Sequence, residues 1–294
     1  MKERPVSTFK VRLFAAILFF VLKITAACAD ELMIMVRPTE VYQSGVVEIT
    51  VSGSGLADLK ARRGAEELPL MRVDETSYVA LVGVDIEQRP GPLEIVLSGR
   101  SPDENWKRAG KINVKQKNFP REEITVPAQF DQLDAATLAR IKKEREKLDR
   151  LFAARTAARL WDGAFIAPVP GTINSAFGFR RVVNGLPRAP HEGVDLKAAL
   201  GAPVAAANDG RVVLTDDLFF SGNSLVLDHG GGLYTMYFHL SEFRAAVGDA
   251  VRKGDIVGHA GMTGRVTGPH LHWGARLAGA RIDPMELLAI GAKR

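Results

Sequence analysis

Cysteine is nearly absent from the 294-residue chain, Cys28 being the only one. That excludes a disulfide framework and a zinc site of clustered thiolates, so any metal chemistry must rest on histidine and carboxylate. Histidine is scarce too: there are six, and the first is His191. His-Glu-x-x-His does not occur, which excludes the helical zinc-protease arrangement. The one long apolar run, Leu13 to Leu22 (LFAAILFFVL), stops at Lys23, well short of the roughly 20 residues of a comfortable membrane span. An excess of one charge sign is also missing once it is located. Of the net +5, residues 1–29 carry +4 (Lys2, Arg4, Lys10, Arg12 and Lys23 against Glu3), leaving +1 for the rest. A near-neutral chain has no dense basic face for counterion release, so no nucleic-acid partner is expected. With 46% hydrophobic and 25% charged residues, the chain is neither disordered nor fibrous and can build one or two cores.

The basic start, the short apolar run and Ala27-Cys28-Ala29 before Asp30-Glu31 have the grammar of a signal peptide over residues 1–29. The expectation is export, to the periplasm or an equivalent compartment, with cleavage near Ala29 and a mature chain free of cysteine. An uncleaved anchor and a lipidated Cys28 are the rival readings; against the second, Thr25 stands three residues before Cys28, where that signal usually has Leu or a similar residue.

From 30 to 119, short β-rich runs alternate with turn residues: Val46 to Val51, Tyr78 to Val82, Leu93 to Leu97 and Lys111 to Lys115. This spacing predicts a β-sandwich-like module without a site of its own. Residues 120–161 read as a helical connector. From Asp131 to Trp161 there is no Gly or Pro, and Leu138, Ile141, Leu148, Leu151 and Phe152 fall near helical periodicity among charges of mixed sign, which predicts a long amphipathic helix. After Asp162 the chain holds 20 of the 28 glycines and all six histidines. Strands are predicted at Arg211 to Leu214, Ser224 to Asp228, Leu233 to His239 and His270 to Ala275, so the fold class is mostly β, with the chemistry concentrated in 162–294.

His191 and Asp195 are four apart in Pro190-His191-Glu192-Gly193-Val194-Asp195. Pro190 and Gly193 argue against a helix, and on an extended chain an offset of four returns to the same face, so both can address one ion. His270 and His272 flank Leu271 and share a strand face by period-two alternation; one can bind a metal while the other addresses water beside it. His239 ends the alternating run from Tyr234. Taken singly, each is a surface or packing histidine; together, in a domain with no other chemistry, they point to a metal site. Two histidines, one carboxylate and an open position suit catalytic zinc and hydrolysis, although non-haem iron uses the same donors.

His191-x-x-x-Asp195, Tyr237-Phe238-His239-Leu240 and Thr263-Gly264-Arg265-x-x-Gly268-Pro269-His270-Leu271-His272 resemble the signature set of the lysostaphin/LytM-type zinc metallopeptidases of bacterial cell walls. The likeness runs from about Pro168 to Leu288 and takes in Phe177-Gly178-Phe179-Arg180. It implies an antiparallel β metallopeptidase domain with an open groove, Zn2+ as cofactor, and His191, Asp195 and His272 as its ligands. It further implies His270 as general base and His239 as support for the developing oxyanion. The implied partners are stem or cross-bridge peptides of peptidoglycan, with a bond between meso-diaminopimelate and D-Ala preferred and a glycine-rich bridge or an uncross-linked stem peptide as alternatives; an envelope regulatory partner is left open. Many members carry an acidic residue after His-Trp, where this chain has Gly274. Two other readings compete: a non-catalytic regulator of the same fold that activates another wall hydrolase, and a wall-binding module with a closed structural zinc. His229 and His259 are expected to be structural or superficial, and Trp273 a core aromatic.

Overall fold

The computed structural model describes residues 31–125 and 133–291. The expected signal segment, with Cys28, lies outside the described residues. Among these, no helix is long and apolar enough to cross a membrane. The protein is mostly β.

The amino-terminal strands form two facing sheets. One has the order Met33–Arg37, Val46–Ser52, Ser77–Gly83, Met71–Arg72; the other has Glu40–Tyr42, Asn105–Lys115, Gly91–Arg100, Ala57–Arg63, Glu66–Leu68. Alternation fills the space between them: Val47, Ile49 and Val51 meet Ile95, Leu97, Ile112 and Val114 in one core. The other face of the first sheet is also buried. Val46, Met71, Val79 and Leu81 join the core of the carboxy-terminal domain, which includes Leu277, Ala280 and Ile282. Gly83 makes this approach possible, because a Cβ there would lie 3.0 Å from the Leu277 carbonyl oxygen and 3.1 Å from Ala280 Cβ. Ion pairs of Arg281 with Asp85 and Glu87 flank the contact, so the two domains meet directly rather than only through a connector.

The connector is part strand and part helix. Arg121–Ile124 pairs in parallel with Arg180–Val183, which turns back antiparallel onto Leu186–Pro187. The helix spans Ala135–Ala153, and Asp134 caps it by accepting from the Thr137 amide at 2.7 Å. Leu148, Leu151 and Phe152 bury its apolar stripe against Leu214, Leu218, Val226 and Tyr234. It is shorter than the predicted Asp131 to Trp161. No Gly or Pro stops it; tertiary contacts do. Tyr234 Oη donates to the Ala154 carbonyl at 2.9 Å, and the Leu160 amide donates to the His229 carbonyl at 2.9 Å, holding 154–161 extended against the sheet.

The carboxy-terminal domain is a ten-stranded sheet whose main path runs Ile173–Ser175, Gly193–Leu196, Leu271–Leu277, Leu233–Phe243, Gly222–Gly230, Gly210–Leu218, Ala250–Val251. All of these neighbours are antiparallel. A single 3₁₀ turn, Pro284–Ala289, closes the described part.

Candidate metal centre and its groove

Strand register assembles the site. Asp195 pairs with His272, and His272 pairs on its other side with Phe238. Residues directly opposite in a ladder point to the same face, so three neighbouring strands present Asp195, His272 and Phe238 together. The Phe238 ring stacks on that of His272, with centroids 5.3 Å apart and planes 4° from parallel. His191 precedes Gly193–Leu196 and returns to the Asp195 face. Gly193 leaves the room His272 needs, since a Cβ there would lie 2.5 Å from His272 Nε2.

Three donor atoms converge. His191 Nε2 lies 2.9 Å from Asp195 Oδ1 and 3.0 Å from His272 Nδ1, and His272 Nδ1 lies 2.9 Å from Asp195 Oδ1. The Ala176 carbonyl, 2.9 Å from His191 Nδ1, can only accept, so the ring proton sits there and Nε2 offers a lone pair. Burial lowers the His272 pKa to about 4, despite the opposing pull of Asp195, and keeps its ring neutral at neutral pH. Burial disfavours the charge on Asp195, but its contacts with His191 and His272 outweigh that and hold the carboxyl far below the ordinary range. The result is two imidazole nitrogens and a carboxylate oxygen, all from buried residues, aimed at one point. Protons cannot satisfy all three edges of such a triangle. A tetrahedral ion with bonds of about 2.0–2.1 Å needs donors about 3.3 Å apart, close to what is seen, so the donor set fits zinc.

Two further histidines border this triangle. His270 Nδ1 donates to the Gly268 carbonyl at 2.9 Å, leaving Nε2 as an acceptor 3.7 Å from Asp195 Oδ1. His239 does not end its strand, which continues to Phe243. By alternation from Phe238 its side chain would face away, but its φ of 64° breaks the alternation and turns the ring to within 4.9 Å of His270 and 6.0 Å of His272, centroid to centroid. Left-handed backbone at a non-glycine residue costs of the order of 1–3 kcal/mol and tends to mark functional positions. His239 Nδ1 donates to the Thr263 carbonyl at 2.9 Å. Burial, reinforced by the neighbouring His272 and His270, lowers its pKa to about 3. The open groove over these residues encloses about 310 Å3 and includes Phe220, Arg265 and Pro269 in its walls.

Residues 189–284 match the family model described as Peptidase family M23. This stretch is a peptidase M23 domain. It contains all five site residues named above. The peptidoglycan DD-endopeptidase ShyA of Vibrio cholerae is 40% identical over 115 residues, which are 39% of this chain and 27% of that protein. The DD-carboxypeptidase/endopeptidase Mpg of Neisseria gonorrhoeae is 39% identical over 115 residues, 39% of this chain and 26% of its own. The chain thus spans about a quarter of the length of the curated relatives it matches. A crystal structure assigned to family M23, from Pseudomonas aeruginosa, superposes with a TM-score of 0.63 at 26% identity, covering 86% of this chain and 96% of that one. That coverage extends the likeness of fold well beyond the M23 domain.

The remaining histidines and Trp273 stand apart from the metal centre. His229 is fully buried, 2.6 Å from the Asp209 carbonyl and 2.7 Å from Thr235 Oγ1. His259 pairs with Glu242 at 2.8 Å. Trp273 is fully buried on the face opposite His272, in the core. Sequence reasoning missed Arg181, whose Nη2 donates to Asp195 Oδ2 at 3.0 Å. It also missed Glu122 and Ser175 behind it. Phe177-Gly178-Phe179-Arg180 came within one residue of Arg181, but no spacing rule ties that position to Asp195.

Proposed function

We propose that the chain is an exported zinc-dependent endopeptidase that hydrolyses peptide cross-links of peptidoglycan. The observation that carries this reading is the convergence of His191 Nε2, Asp195 Oδ1 and His272 Nδ1 beneath two more histidines in an open groove. The name of ShyA supports peptidoglycan as the substrate class, and both names speak of DD cleavage, which agrees with the meso-diaminopimelate to D-Ala bond preferred on the sequence. His191, Asp195 and His272 would hold the ion. Zinc there supplies acidification of water and polarisation of the scissile carbonyl.

The chain's own residues do the rest. His270, with Nδ1 anchored on Gly268 and Nε2 turned toward the donor triangle, would act as the base that takes a proton from water there. His239 is anchored by Thr263 in the same tautomer, so its neutral ring offers an acceptor. It can donate to the oxyanion only by taking over the single proton that His270 removes from water, the two rings lying 4.9 Å apart centroid to centroid. The proton taken from water is then available for the leaving amine. A purely regulatory relative would be free to lose these groups, and all five are present.

The test is mass analysis of muropeptides released from purified sacculi by the chain from Asp30 onward. Conversion of cross-linked dimers to monomers, abolished by a chelator and restored by zinc, is expected. Release of glycan fragments with intact peptides would refute it. Export is tested by sequencing the envelope-localised protein, which should begin at Asp30; a lipid on Cys28 or a retained segment 1–29 would overturn processing after Ala29.

A further inference from the structure

The connector strand Arg121–Ile124 lies outside the M23 domain in sequence, yet one of its side chains reaches the metal centre. Glu122 pairs in parallel register with Arg181, so the two side chains share a face, while Arg121 and Glu123 point the other way and pair with each other in solvent. Arg181 bridges two carboxylates with different nitrogens: Nε donates to Glu122 Oε2 at 3.2 Å, and Nη2 donates to Asp195 Oδ2 at 3.0 Å. Ser175 Oγ donates to the Glu122 carboxylate at 3.1 Å. With its proton turned that way, the same oxygen, 3.3 Å from His191 Nδ1, can take only the weaker share of the proton that Nδ1 donates to the Ala176 carbonyl at 2.9 Å.

One carboxylate thus braces the outer supports of two of the three donor residues. It also sets the local charge. Arg181 alone would cancel Asp195, leaving no net negative charge beside the donors, whereas Glu122, Arg181 and Asp195 together carry −1. The side chains are 23%, 20% and 10% exposed, so this balance is only partly screened by water.

We propose that Glu122 is a positioning residue for the M23 site. Acting through Arg181 and Ser175, it aims Asp195 Oδ1 and His191 Nε2 and tunes the charge of the cation site, which makes the connector strand part of the metal centre. The inference rests on the zinc reading above. Partners behind metal ligands typically contribute about 10- to 100-fold in metal affinity or activity.

The experiment measures zinc affinity of the full chain by competition with a chromogenic chelator, alongside the thermal melting of the metal-free proteins. Glu122→Ala should bind zinc about 10-fold or more weakly, with a melting temperature close to the parent's. Glu122→Gln keeps an accepting oxygen but loses the charge and should fall between the two. Glu123→Ala, on the same strand but facing solvent, should bind like the parent. Added to Arg181→Ala, Glu122→Ala should cost less than it does alone, because part of its path is already cut. Unchanged zinc affinity in Glu122→Ala would overturn the inference while leaving the zinc reading intact. Equal losses in Glu123→Ala would reduce the strand to a structural support and overturn it equally. Tighter zinc binding or faster turnover in Glu122→Ala would make Glu122 an obstruction instead. A parent chain that takes up no zinc would overturn the metal reading itself, and this inference with it.

Discussion

Acidification of the metal-free protein should cost it stability through His229, and the size of the effect can be worked out. The ring is fully buried, with its Nδ1 proton donated to the Asp209 carbonyl and Nε2 against Thr235 Oγ1, which in turn lies 3.0 Å from Tyr237 Oη. Burial lowers its pKa to about 4, against the opposing pull of Asp209. Because the folded value lies below the unfolded one of about 6.5, the unfolded chain takes the proton first. Stability is therefore complete above pH 6.5 and falls as pH drops toward 4, where the loss levels off. Linkage puts the loss at about 2 kcal/mol between pH 7.5 and 5, and about 3 kcal/mol by pH 4. His272 and His239 are also buried and depressed, so the parent alone would confound the three. The comparison that isolates His229 is with His229→Gln, in urea unfolding with a chelator present across this pH range. The variant should be less stable at pH 7.5, and its deficit should shrink by those amounts on acidification. A deficit that stays constant with pH, or widens, would refute the assignment of a neutral buried ring.

Three further outcomes follow from the site and its supports. His191→Ala and His272→Ala each leave two protein donors and should lose most zinc at stoichiometric loading by elemental analysis; full occupancy in either would remove it from the ligand set. His270→Ala and His239→Ala should keep zinc while turnover on sacculi falls, by about 10²- to 10⁴-fold for the base and about 10²- to 10³-fold for the group beside the oxyanion. Parallel loss of zinc in either would make that histidine a ligand. Gly178→Ala puts a Cβ 2.2 Å from the Phe119 ring at a φ of 83°, so it should push the connector off the domain and destabilise the protein by about 1–3 kcal/mol in urea unfolding; parent-like stability would show that Phe119 is free to move aside.

Much of the fold was legible because a buried strand face repeats every second residue. Val47, Ile49 and Val51 announce one face of the sandwich, and the observed strands at Val46–Ser52, Ser77–Gly83, Gly91–Arg100 and Asn105–Lys115 contain the predicted runs. The run Tyr-Val-Ala-Leu-Val-Gly within Ser77–Gly83 is apolar on both faces, a pattern that signals burial on two sides; it reads as an isolated module only when the second domain is left out. The helix end at Ala153 was not legible, since nothing local stops the periodicity and the stop comes from contacts with Tyr234 and His229, about 80 residues away in sequence. Arg121–Ile124 has no alternation of polarity at all. It is a strand because the Arg180–Val183 hairpin offers it an edge, and no reading of Arg-Glu-Glu-Ile alone supplies that edge.

The site divides along the same line. His191 with Asp195, and His270 with His272, are pairs close in sequence whose offsets of four and two fix a common face wherever the chain is extended, so their convergence could be read before any pairing was known. His239 could not be placed that way, because period-two alternation sends it to the wrong face and only its left-handed backbone brings it back. Glu122, Arg181 and Asp195 are harder still: both links among them cross between strands, and a charged residue on a short edge strand reads by default as solvated. Spacing reports on residues that share a strand, whereas charge compensation of a buried carboxylate is met by whichever cation the fold brings alongside. A buried Asp195 read as a metal ligand therefore implies a compensating partner before its identity is known, and the structure supplies Arg181, with Glu122 behind it.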